Sequence, residues 1–99
     1  MKNLTDFEKS LQEEAPRPEY SDLLKALWWD AQEQWDKAHD IAQEISDEDG
    51  SWIHAYLHRK EGDQFNADYW YRRAGRQRFE GSLEEEWKQM VDIFLKKEN

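Results

Sequence analysis

The fold of this chain is decided by residues 52–75, which read WIHAYLHRKEGDQFNADYWYRRAG. The stretch predicts two helices, over residues 52–61 and 64–74, joined by a tight turn at Gly62-Asp63. Glycine adopts the left-handed backbone of such a turn without steric cost, and aspartate is a favoured cap for the helix that follows. The stretch therefore predicts a helical hairpin.

A second pair of helices is predicted before this hairpin. Ser21 is a favourable N-cap for a helix that ends near Gln32, and apolar spacing predicts another helix over residues 35–45. The acidic segment 46–51 is predicted to be a solvated turn, with Ser51 as the next N-cap.

The two ends of the chain carry their own helix signals. A capping box at Ser82 and Glu85 predicts a C-terminal helix over residues 82–97. A second capping box, at Thr5 and Glu8, predicts a short helix within residues 1–14.

The linker after the N-terminal helix and the absence of a strand pattern complete the predicted architecture. Residues 1–20 are predicted to be the N-terminal helix followed by a linker, in which Pro16 and Pro18 hold the chain extended. No segment alternates apolar and polar residues with period two. The prediction is one all-α domain over residues 1–99.

An internal repeat supports the helical prediction. A shift of 29 residues places segment 26–38 on segment 55–67, with alanines aligned at both ends and Glu33 aligned with Gly62. Repetition at such a period is typical of stacked helical hairpins. A non-glycine residue in a left-handed turn costs about 1 kcal/mol, so the turn at Glu33 is expected to be built differently.

Residues 62–74 follow the pattern Gly-Asp-x-x-x-Ala-x-x-x-Tyr-x-x-Ala. This pattern resembles the second half of a tetratricopeptide (TPR) or Sel1-like repeat, and segment 66–74 is especially similar to the Sel1-like form. The resemblance covers residues 21–75 and implies two hairpins, 21–45 and 51–75, in a protein–protein interaction module. The whole chain also resembles a group of short bacterial proteins, from which we infer no activity.

The chain departs from the TPR pattern in two ways. Its period of 29 residues is shorter than the usual period of about 34. Two repeats are also fewer than the three that a stable stack needs. We therefore expect the N-terminal segment and the C-terminal helix to cap the hairpins, or a dimer to complete the core.

Charge and composition exclude several classes of function. The net charge of −9 argues against nucleic acid as a partner, because phosphate contacts need a basic surface. The chain has no cysteine, no apolar run long enough to span a membrane and no signal-peptide pattern, so a cytoplasmic protein is predicted. Residues 56–78 nevertheless carry a net charge of +3, against −12 for the remainder. This basic stretch could steer an anionic ligand or pair with the protein's own acidic surface.

The first candidate site is a groove for a protein or peptide, or for a second copy of the chain. Exposed aromatic and arginine side chains are typical of interface hot spots. The TPR resemblance implies that first helices line the groove, and the candidate residues are Trp52, Tyr56, Arg59, Arg72 and Arg73. The alternative is that these residues only cover the neighbouring hairpin or the C-terminal helix.

The second candidate site consists of the three histidines. His54 and His58 lie four residues apart on one helix face, a spacing that can bind a metal, and His39 could supply a third ligand. The alternatives are a small-molecule or acid–base pocket, and a structural role as hydrogen-bonded imidazoles. No nucleophile or phosphate-binding loop is recognisable, so nothing argues for an enzyme, and no cofactor is predicted.

Overall fold

The computed structural model describes residues 3–98, and this part of the chain forms six α-helices. They are α1 (Leu4–Ser10), α2 (Asp22–Ala31), α3 (Trp35–Gln43), α4 (Glu48–Lys60), α5 (Gln64–Arg73) and α6 (Leu83–Glu98). No residue between 3 and 98 belongs to a β-strand, which confirms the all-α prediction. Within this range no helix is both long enough and apolar enough to cross a membrane.

Three of the predicted helix starts are confirmed by capping hydrogen bonds. The Ser21 hydroxyl accepts from the backbone N–H of Leu24 at 3.3 Å, and the Asp63 carboxylate accepts from that of Asn66 at 3.2 Å. Ser82 and Glu85 form the reciprocal capping box at distances of 2.9 and 3.0 Å. Short polar side chains thus satisfy N–H groups that have no partner inside their helix.

The start of α1 differs from the prediction. The side chain of Asn3, not Thr5, caps this helix by accepting from the Asp6 N–H at 2.9 Å. Asparagine is an equally good cap, and it starts the helix two residues earlier. The helix also ends at Ser10 rather than near residue 14. Residues 1 and 2 of the predicted helix lie outside the described part of the chain.

The start of α4 was also predicted too late. Asp47 caps it by accepting from the Gly50 N–H at 2.9 Å, so Ser51 lies buried inside the helix instead of capping it. Glycine permits this path because a Cβ at Gly50 would lie only 2.2 Å from the carbonyl oxygen of Ile45. The acidic residues of the predicted loop form the first turn of α4, where the helix dipole favours negative charge.

The turns after α2 and α4 share one backbone geometry. Glu33 has a φ of 62° and Gly62 has a φ of 90°. The backbone N–H of Gln34 donates to the Trp29 carbonyl at 3.0 Å. At the equivalent position, 29 residues later, the N–H of Asp63 donates to the His58 carbonyl at 2.9 Å. The expectation that the turn at Glu33 is built differently is therefore wrong, and Glu33 adopts the left-handed backbone despite its side chain. The TPR-like repeat itself stays a prediction.

The helices pack in sequence order and are covered by α6. Helix α2 packs on α3, α3 on α4 and α4 on α5, while α6 contacts α1, α2 and α4. Helix α1 docks on its own chain, since Phe7 is 1% exposed and lies 5.8 Å from the Trp87 ring. The core is rich in aromatic side chains, and its fully buried members include Trp28, Trp52, Tyr71, Phe7 and Phe94.

Candidate functional site

Three histidine side chains meet between α3 and α4. His54 and His58 are one helical turn apart on α4, and His39 faces them from α3. The Nε2 atoms of His39 and His54 lie 2.9 Å apart, so one carries a proton and donates it to the other. One ring nitrogen of each histidine lies within 4.8 Å of the other two. We call these three residues the histidine cluster.

Two tryptophans hold the rings of this cluster in place. Trp70 of α5 stacks on His54, with ring centroids 3.8 Å apart and planes inclined by 8°. Trp35 stacks on His39 at 4.7 Å, and its own Nε1–H donates to the Leu57 carbonyl at 2.9 Å. The imidazoles therefore have little rotational freedom, and residues from three helices contribute to the site.

Burial favours the neutral form of two members of the cluster, His54 and His39. Desolvation, followed by the neighbouring His39 and His58, lowers the pKa of His54 to about 4. Desolvation is also the main cause that lowers the pKa of His39, with a further contribution from His58. A neutral imidazole keeps a lone pair on one ring nitrogen, which is the form that binds metals. At neutral pH these two histidines can therefore act as ligands without first losing a proton.

His58 is oriented by a carboxylate. Its Nδ1 lies 2.6 Å from Oε2 of Glu61, and its side chain is 14% exposed. A carboxylate that accepts from one ring nitrogen fixes the imidazole and raises the basicity of the other nitrogen. Asp63 belongs to a second group with His58 and Glu61 whose potential ligand atoms also lie within 4.8 Å of one another.

Three of the five residues predicted to form the partner groove, Trp52, Tyr56 and Arg59, do not form a groove. Trp52 is 1% exposed and Tyr56 is 3% exposed. Arg59 donates to Oε1 of Glu86 at 2.9 Å and to the carbonyl of Gly81. These side chains contact the rest of their own chain, as the alternative interpretation held, because Trp52 and Arg59 pack against Glu86 of α6 and Tyr56 packs against Asp30 of α2. The groove hypothesis is wrong for Trp52 and Tyr56.

The other two groove candidates lie at the surface of α5. Arg72 and Arg73 are exposed, and the Arg73 guanidinium lies 5.2 Å from the Trp70 ring and 5.8 Å from that of Tyr69. The same helix exposes 84% of Phe65 and 43% of Tyr69. This surface, which we call the α5 face, keeps the aromatic and arginine composition that the groove hypothesis sought.

Two buried carboxylates were not identified from the sequence. Glu86 is fully buried and accepts from Trp52 Nε1 at 3.0 Å, from Tyr71 Oη at 2.6 Å and from Arg59. A signal was present, because Glu86 lies four residues before Met90 and therefore on the apolar stripe of α6.

The second buried carboxylate is Asp30, which is 2% exposed. It accepts from Tyr56 Oη at 2.7 Å and from Lys60 Nζ at 2.9 Å. It lines a cleft of about 390 Å³ that Glu33 also lines. Desolvation, followed by the negative charge of Asp30, raises the pKa of the Tyr56 phenol.

Comparisons with known proteins find no match for this chain among protein-family models, curated proteins or solved structures.

Proposed function

We propose that this chain binds one divalent transition-metal ion, zinc in the first instance, through His39, His54 and His58. The observation that supports the proposal is the convergence of three imidazole nitrogens from two helices within 4.8 Å. Imidazole suits zinc, copper and nickel, and sites with three histidines leave a fourth position open to water or a ligand. The proposal is the second of the two functions that the sequence suggests.

The distances in the cluster are close to those that a metal requires. Tetrahedral zinc with bonds of 2.0–2.1 Å separates two ligand nitrogens by about 3.3 Å. The Nε2 atoms of His39 and His54 are 2.9 Å apart, so they would move apart by about 0.4 Å. The histidine that carries the shared proton on Nε2 would change to the Nδ1–H tautomer, so that both Nε2 lone pairs face the ion and both rings stay neutral. Glu61 would hold His58 through Nδ1, which leaves Nε2 for the metal.

The test is titration of the protein, without a polyhistidine tag, with zinc chloride. We expect one zinc per chain by native mass spectrometry and calorimetry, and a rise in thermal stability with free zinc. His39→Gln should abolish stoichiometric binding, and this change should disturb folding less than one at the buried His54, because His39 is only half-buried. Glu61→Gln should weaken binding by about 10–100-fold. Absence of one-to-one binding by the parent protein would reject the site.

A matched control separates coordination from general charge. Glu44 is an exposed carboxylate at the end of α3 with the same formal charge as Glu61. Glu44→Gln should leave zinc affinity within about twofold of the parent, since screened surface charges contribute little. Equal weakening by the Glu44 and Glu61 variants would show that the carboxylate of Glu61 does not act through His58.

A second candidate function is protein interaction, with self-association through the α5 face as its specific form. The exposed ring of Phe65 and the half-exposed ring of Tyr69 are one turn apart, beside Arg73. Aromatic and arginine residues of this kind dominate the energy of protein interfaces. Sedimentation velocity at increasing concentration tests the proposal. Phe65→Ser should weaken association, whereas Lys88→Ser on α6 should not, and a parent protein that stays monomeric would overturn it.

A further inference from the structure

Half of the basic stretch is accounted for by the protein's own carboxylates. Arg59 pairs with Glu86 and Lys60 pairs with Asp30, both at 2.9 Å. Arg78 pairs with Asp68 at 2.6 Å.

The other three cations of the stretch have no such partner. Among residues 3–98, no ion pair involves Arg72, Arg73 or Arg76. In a protein with 23 acidic residues, three arginines within five positions of the chain therefore have no carboxylate partner and are left for another anion.

Two of the three arginines meet Arg78 in one cleft. It lies beside the C-terminal end of α5, has a volume of about 340 Å³ and is lined by Asp68, Tyr71, Arg72, Arg76, Gln77 and Arg78. Its formal charge is +2, within a chain of net charge −9. The third arginine, Arg73, does not line the cleft and instead lies against the rings of Tyr69 and Trp70.

Contacts within the protein hold two of the cleft's guanidinium groups in place. The Arg76 guanidinium lies 3.4 Å from the centroid of the buried Trp52 ring. Arg78 donates to both carboxylate oxygens of Asp68, at 3.0 and 2.6 Å, and Gln64 donates to the same carboxylate at 2.8 Å. Guanidinium groups that are already fixed lose less conformational entropy when they bind an anion.

We propose that this cleft binds the phosphate group of a small phosphorylated molecule between Arg72, Arg76 and Arg78. A guanidinium donates two parallel hydrogen bonds to phosphate oxygens, and the edge of Arg76 stays available while its face is stacked on Trp52. Arg78 donates to Asp68 through Nε and Nη2, which leaves its Nη1 for the phosphate. A phosphate dianion matches the cleft's charge of +2, whereas a single carboxylate would leave one positive charge uncompensated. The site is distinct from the histidine cluster and does not depend on a metal.

The experiment is a titration of the protein with inorganic phosphate at constant ionic strength, followed through the Nε–H signals of the arginine side chains by NMR. We expect saturable binding that shifts the signals of Arg72, Arg76 and Arg78. Arg72→Ala should raise the Kd by about tenfold or more, because it removes a charged hydrogen-bond donor. Arg72 is exposed and unpaired within the described chain, so the variant should fold, which circular dichroism checks.

Arg73→Ala is the matched control, since it removes the same charge from the next residue of the same helix. We expect it to change the Kd by less than about threefold. Equal effects of the two variants would show that phosphate is attracted by a diffuse basic surface and not bound in the cleft, which would overturn the proposal. Binding of phosphate that does not saturate would also overturn it. Titration with AMP and with O-phosphoserine then identifies the source of the phosphate, because tighter binding of either one than of inorganic phosphate supports the proposal and names the class.

Discussion

Replacing Glu86 with glutamine should destabilise the fold more than any neighbouring change of charge on α6. Glu86 is fully buried, and its two carboxylate oxygens accept from Trp52, Tyr71 and Arg59 at distances between 2.6 and 3.0 Å. The glutamine carbonyl oxygen can still accept from Trp52 and Tyr71. Its NH₂ group would then face Arg59, where a second donor replaces the acceptor and the counter-charge is lost.

The magnitude follows from the surroundings of Arg59. Removing one partner of a buried ion pair costs about 3–5 kcal/mol, because the other charge is left uncompensated. The Arg59 side chain is 17% exposed and keeps its hydrogen bond to the Gly81 carbonyl. Both features place Glu86→Gln near the lower limit, at about 3 kcal/mol. This is a large part of the roughly 5–15 kcal/mol by which small domains are stable.

Glu84→Gln is the control, since it removes the same charge from the same first turn. The Glu84 side chain is 77% exposed and its pair with Lys88 has a distance of 3.6 Å, so its loss should cost less than about 1 kcal/mol. Urea unfolding followed by circular dichroism measures both variants. A difference below about 1 kcal/mol between them would refute the argument that the buried carboxylate compensates Arg59.

Three further predictions concern stability. Glu33→Gly should stabilise the fold by about 1 kcal/mol, because it relieves a side chain in a left-handed backbone. It loses only a 3.6 Å contact between a largely exposed carboxylate and Lys60. Destabilisation in urea would contradict this prediction. Metal-free protein should lose stability as the pH falls from 6.5 towards 4, since unfolded chains take up a proton that folded His54 does not. His54→Gln should show a smaller fall, and identical pH profiles would exclude His54 as a cause. Gly50→Ala should destabilise by about 1–3 kcal/mol, because the added Cβ would lie 2.2 Å from the Ile45 carbonyl; unchanged thermal unfolding would show that the chain relaxes there.

Helix caps were predicted well where the sequence offers one suitable capping residue. The cap at Asp63 and the capping box at Ser82 and Glu85 are hydrogen bonds between residues three apart, so their partners can be identified from spacing alone. The cap of α4 also depends on nearby residues, but the helix was predicted to start too late because both Asp47 and Ser51 are suitable caps. Spacing does not decide between two such candidates when packing of the preceding segment determines which one is used.

The candidate site residues depend instead on contacts between helices, which spacing along the chain does not determine. The pair of His54 and His58 follows from helical spacing, but the stacking of Trp70 on His54 depends on how α5 packs against α4. The groove hypothesis failed at Trp52 because the TPR resemblance describes a helix face without stating what covers it. Helix α6 covers it here, through a carboxylate that the sequence places among three consecutive glutamates in a first turn.

The aromatic core explains why the protein buries charge at all. Aliphatic side chains are few, so tryptophan and tyrosine fill the interior, and their N–H and O–H groups need acceptors when they are buried. Main-chain carbonyls serve Trp28 and Trp87, whereas Trp52, Tyr56 and Tyr71 use Glu86 or Asp30.

Each buried carboxylate in turn requires a positive charge, and consecutive residues of α4 provide it as Arg59 and Lys60. The core therefore accounts for these two cations of the basic stretch. It does not account for Arg72, which neither compensates a buried carboxylate nor pairs with a surface one among residues 3–98. That surplus of positive charge, beside guanidinium groups already held by Trp52 and Asp68, is what an anionic ligand would use.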